Sequence, residues 1–122
     1  MGSLHPRSIV SNLDVPSSSF VELPNMRGLR IARLGCQQDG RTLEVIDAVR
    51  GVVIPALTHP SAEHGCVLSG RIRFMQDGVV TDLGPGDRWE VKAHQGQGPH
   101  LVLENDTRVA ILRDGRSALD VV

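Results

Sequence analysis

His59-Pro60-Ser61-Ala62-Glu63-His64-Gly65-Cys66-Val67-Leu68-Ser69-Gly70 reads as a polar loop feeding a short apolar strand that stops at glycine. If His59 ends one strand and Glu63 begins the next, their imidazole and carboxylate can converge on one cation, because both are N/O donors that suit divalent metals. Leu57, His59 and Glu63 share one register, so in a regular strand all three face the same side. His64, the immediate neighbour of Glu63, then points away.

Downstream, Arg71-Ile72-Arg73-Phe74 alternates strictly, Asp77-Gly78 is a type I′ turn signal, and the chain returns through Val79 to Leu83, which predicts a β-hairpin. Gly84-Pro85-Gly86 is a tight turn. Trp89 and Val91 alternate with charged residues in a further strand, and Ala93 to Pro99 is loop. Leu101-Val102-Leu103 and Val109-Ala110-Ile111-Leu112 are two more strands about an Asn105-Asp106 turn. Upstream, Leu29 to Leu34 alternates as a half-buried strand. Val52 to Ile54 is a short strand bounded by Pro55, and residues 42–50 read as strand with helix as the competing assignment. Ala118 to Val122 has the pattern of an edge strand. Residues 1–25, rich in Ser and Pro, read as an N-terminal arm that can add a strand to a sheet edge or to a neighbouring subunit, leaving 26–122 as one domain. Short strands, frequent turns and no long amphipathic helix predict an all-β sandwich or barrel.

A chain of 122 residues is a single-domain length. Its 13 Lys and Arg against 14 Asp and Glu are scattered, and it has no Tyr, two Phe and one Trp. It therefore lacks both the basic footprint and the aromatic platforms of a nucleic-acid binder. No apolar run approaches the ~20 residues of a membrane span, and no secretory signal stands at the N-terminus, so a cytoplasmic protein is expected. Cys36 and Cys66 have no metal-binding or redox spacing and read as reduced core thiols. The Gly84–Gly86 stretch is not a phosphate loop, since no GxGxxG or Walker pattern accompanies it. Phe74 and Trp89 are assigned to core packing.

The segment from Glu63 to Gly70 resembles the first motif of the cupin superfamily, in which histidines and a glutamate precede a Val-Leu-x-Gly strand end. Leu83-Gly84-Pro85-Gly86-Asp87, then Gly98-Pro99-His100 and Asn105, resemble the second. The resemblance implies a jelly-roll barrel, also called a double-stranded β-helix, of the small RmlC-like type. It further implies a divalent transition metal (Fe, Mn, Zn or Ni), a small-molecule substrate or ligand, and a homodimer. Carried over residue by residue, it offers His59, Glu63 and His100 as metal ligands, with His94 as the alternative to His100. Leu57 stands where the family's first histidine belongs, and the loop before His100 is longer than the family's. Gln97 or His94 would stand near the mouth as an acid, base or supporting group. A buried Glu63 paired with an arginine such as Arg71 or Arg73 is the competing structural reading.

Two functions follow from different classes. One is a metal-dependent enzyme acting on a small organic molecule by oxygenase, isomerase or lyase chemistry. The other is a metal-free cupin that binds a small ligand as sensor, carrier or accessory protein, favoured by the hydrocarbon at Leu57.

Overall fold

The computed structural model describes residues 15–36, 41–56 and 58–114. Among these described residues, a 3-10 turn at Ser17–Ser19 is followed by ten strands: β1 Val21–Glu22, β2 Leu29–Cys36, β3 Arg41–Ala48, β4 Val53–Ile54, β5 Glu63–Ser69, β6 Ile72–Gln76, β7 Val79–Leu83, β8 Arg88–Val91, β9 His100–Val102 and β10 Thr107–Asp114. They form a six-stranded sheet in the order β1-β2-β3-β10-β5-β8 and a four-stranded sheet in the order β4-β9-β6-β7. All pairings are antiparallel. The all-β jelly-roll expectation is met. Among the described residues no helix is long and apolar enough to cross a membrane.

The helical alternative for residues 42–50 gives way to β3, and the reason is burial on two faces. Leu43, Glu44, Val45 and Ile46 are all buried, a run that suits either a helix or a strand covered on both sides. Ile46 joins Val67, Val109 and Ile111 in the barrel interior, packed against Ile72 and Phe74 of the opposite sheet. Leu43 and Val45 face the other way, with Cys66, Ala110 and Leu112, and Phe20 packs on that outer face. The guanidinium groups of Arg30 and Arg108 stand 5.2 and 4.8 Å from the Phe20 ring centre, so the segment before the barrel is fastened by cation–π contacts. It also adds β1 to the edge of β2. Residues 1–14 of the expected arm, the proposed strand at Ala118–Val122 and the side chain of Cys36 lie outside the described residues; Cys66 is a buried thiol.

The hairpin forms as its sequence demands. Asp77 and Gly78 both take positive φ, 51° and 74°, and β6 and β7 pair from Ile72↔Leu83 to Gln76↔Val79. The Gly84–Asp87 turn closes on itself, the Gly84 N–H donating to the Asp87 carboxylate at 2.8 Å.

Candidate functional site

The inward-facing row of the large sheet is apolar until its end, where it turns ionic. In β10, Val109 and Ile111 point into the barrel and Arg113 follows in phase with them. Arg113 pairs with Glu63 of β5 across one ladder, and Ile111 pairs with Glu44 of β3 across the other, so Glu44 lies diagonally from Arg113. The guanidinium bridges both acids: Nη1 donates to Glu44 Oε1 at 2.6 Å and Nη2 to Glu63 Oε1 at 2.5 Å. All three side chains are buried. Arg33, half-exposed at the rim, stands 3.6 Å from the second Glu44 oxygen. In this array each acid has a close, hydrogen-bonded partner in the guanidinium.

Glu63 accepts two further bonds. Trp89 Nε1 donates to its Oε2 at 2.8 Å and Gln97 Nε2 approaches its Oε1 at 3.4 Å. Trp89 reaches the carboxylate because it pairs with Gly65, over which its ring lies. A Cβ at Gly65 would stand 2.0 Å from Trp89 Cζ2.

Gln97 links Glu63 to His100. The Met75 backbone N–H donates to His100 Nδ1 at 3.1 Å, so in the neutral ring the proton sits on Nε2, which donates to Gln97 Oε1 at 3.1 Å. The imidazole stacks on Phe74, ring centres 4.1 Å apart and 13° between planes. Burial pushes its pKa down from 6.5 to about 4, with the Glu63 carboxylate pulling more weakly the other way. At neutral pH this ring is an uncharged hydrogen-bond donor.

These groups close one end of a cavity of about 40 Å³, whose walls include Ile46, Ile54, Ile72, Val109 and Ile111. Of the residues singled out from sequence, Glu63, Gln97 and His100 meet there. His94 is exposed, at φ 64°. His59 is buried but sits on a loop: no strand joins Ile54 to Glu63 among the described residues, so parity does not carry from one to the other. Its Nδ1 lies 2.8 Å from Ser61 Oγ, and its carbonyl accepts from the His94 N–H at 2.7 Å. Leu57 lies outside the described residues. His64, half-buried, approaches Glu90 at 3.9 Å.

The arginine that pairs Glu63 is Arg113; Arg73 pairs with Asp82 and Arg71 lies near Glu104. Trp89 both packs and holds the carboxylate. Arg113 and Glu44 escaped the sequence reading, although each is a charged residue in phase with an inward apolar row, Val109-x-Ile111-x-Arg113 and Glu44-x-Ile46. A charge at such a position signals a buried polar site.

The donors as arranged do not fit a metal ion. Both Glu63 oxygens and both His100 nitrogens have protein partners, and His59 Nδ1 is engaged by Ser61. Among the described residues no three His, Cys, Asp or Glu side chains gather closely enough to hold one.

The chain resembles solved structures over most of its length. KdgF from Halomonas sp. shares 21% identity, with 84% of this chain and 92% of that one covered and a TM-score of 0.74. An RmlC-like cupin from Shewanella frigidimarina shares 19%, covering 88% and 94%, with a TM-score of 0.71. A predicted oxalate decarboxylase from Thermotoga maritima shares 16%, covering 85% and 100%, with a TM-score of 0.70. At such identities the likeness shows the fold alone. No curated protein matches the chain in sequence. The family model described as "Cupin domain" matches residues 43–118. With that match spanning more than half of a two-sheet jelly roll, the chain belongs to the cupin family.

Proposed function

We propose that this cupin binds a small organic molecule inside its barrel without a resident metal ion, as a sensor, carrier or accessory protein. One observation carries the reading. The Arg113 guanidinium lies between Glu44 and Glu63, so the positive charge that a divalent ion would bring to Glu63 is already supplied by the chain. The apolar cavity walls, with a few polar groups at one end, are the composition of a small-molecule pocket. Leu57, a hydrocarbon where the family's first histidine belongs, points the same way.

The competing reading, a divalent metal on His59, Glu63 and His100, requires bonds to be exchanged. Arg113 or Trp89 must yield a Glu63 oxygen and Gln97 must yield His100 Nε2. Metal analysis of untagged protein, grown with iron, manganese, zinc or nickel added in turn, decides between them. Content well below one ion per chain is expected; a stoichiometric ion that survives dialysis would overturn the proposal. A homodimer belongs to the same reading, since β7 is a sheet edge carrying exposed Val79 and Val80. Sedimentation at micromolar concentration tests it.

A further inference from the structure

The cavity at the barrel end is too small, at about 40 Å³, to take an organic molecule whole. Outside it lies a cleft of about 470 Å³, bordered by Ala56, Thr58, Met75, the Asp77–Gly78 turn and the 96–98 loop. Gln97 lines both. It is buried, it stands on a glycine-flanked loop, and its side chain bonds Glu63 and His100. Withdrawing this one side chain would join the two spaces into a pocket within the ordinary range for small ligands.

Removing the Gln97 amide would leave one buried donor without a partner and take a second donor from Glu63 Oε1, which keeps Arg113. The His100 Nε2–H would need an acceptor and Glu63 Oε1 would keep capacity for a donor. An unpaired buried N–H is costly, so a molecule that displaces Gln97 must supply His100 with an acceptor, and one that also donates to Glu63 restores both bonds. Its acceptor and donor must stand side by side on one edge, as the carboxamide they replace does. The neighbouring Glu63 carboxylate disfavours an anion, so the acceptor that fits here is uncharged.

Resting on the barrel-binding reading above, we infer that Gln97 is a displaceable plug whose carboxamide mimics the ligand: the pocket takes a small, neutral molecule bearing a primary amide or lactam. Arg113 adds to this end of the cavity a buried Nε–H without an acceptor among the described residues.

The probe set is 2-pyrrolidinone, γ-butyrolactone and cyclopentanone. The three rings are near in size, and only the lactam carries an N–H beside its carbonyl. The chain's one tryptophan, Trp89, donates to Glu63 and lines the cavity, so its emission reports the site. The lactam is expected to shift that emission saturably in the native protein. It should bind about tenfold tighter to Gln97→Ala, where no plug must be displaced first, and the lactone and ketone should bind about tenfold more weakly than the lactam. Equal binding of all three rings overturns the amide assignment while leaving barrel binding intact. A Gln97→Ala protein that melts cooperatively yet binds the lactam no tighter overturns the plug. If that variant does not fold, the ranking of the three rings on the native protein decides alone. No saturable change with any ring in either protein overturns this inference and the barrel-binding reading together.

Discussion

The Trp89 ring lies directly over Gly65, its partner across the β5–β8 ladder, and this contact delivers the indole N–H to Glu63 at 2.8 Å. Gly65→Ala would put a methyl group inside the ring's own volume. The variant is expected to lose about 3 kcal/mol in urea denaturation and to show a shifted Trp89 emission as the indole leaves Glu63. Unchanged stability and emission would disprove the contact.

Gly78 offers the contrasting case. Its φ is 74°, but a Cβ there would meet nothing within 4 Å. Gly78→Ala is therefore expected to cost only the left-handed backbone strain, about 1 kcal/mol, with no change in Trp89 emission. A loss as large as that of Gly65→Ala would show that the turn is packed.

The His100 imidazole gives the stability curve a definite sign. Its folded pKa, about 4, lies below its ordinary 6.5, so the native ring stays neutral while the unfolded chain takes up a proton. The contribution is complete above pH 6.5, shrinks as pH falls, and is gone below about 4, a loss on the order of 3 kcal/mol. Proton NMR should find no His100 titration between pH 5 and 8. An inflection near 6.5 would contradict the buried, neutral ring.

Arg113 holds the ionic end of the barrel together. Arg113→Met strands two buried carboxylates and is expected to cost roughly 3–5 kcal/mol, read by urea denaturation. Replacing Glu44, Glu63 and Arg113 together with leucine or methionine should recover part of that loss, because no unpaired charge then remains while the Trp89 N–H loses its acceptor. A single-variant loss under about 1 kcal/mol would mean that the triad carries little.

The sequence carried the hairpin in full: Asp77-Gly78 permits only a narrow set of turns, and β7 begins and ends at the expected Val79 and Leu83. It carried the β3 assignment less well, because Leu43 to Ile46 is buried on both faces and loses the alternation that separates strand from helix. Glu63 and His100 were legible through their motif contexts. His59 was not, since among the described residues no strand joins Ile54 to Glu63 and parity does not carry from one to the other. Arg113 and Glu44 were hidden for a different reason. In strands covered on both sides, an inward charge looks like the rim of an apolar run until cross-strand register puts it beside its partner.

The placement of β10 has a consequence for how the protein is made. This strand lies between β3 and β5 in the middle of the large sheet, yet it is the last strand described along the chain. During synthesis the ribosome therefore releases β3 and β5 with a gap between them, each with backbone amides and carbonyls unpaired along one side. Only when Thr107 to Asp114 emerge and insert do the two halves join, and the same insertion delivers Arg113 to its carboxylates. A chain lacking residues 107–114 would present two sticky borders at once.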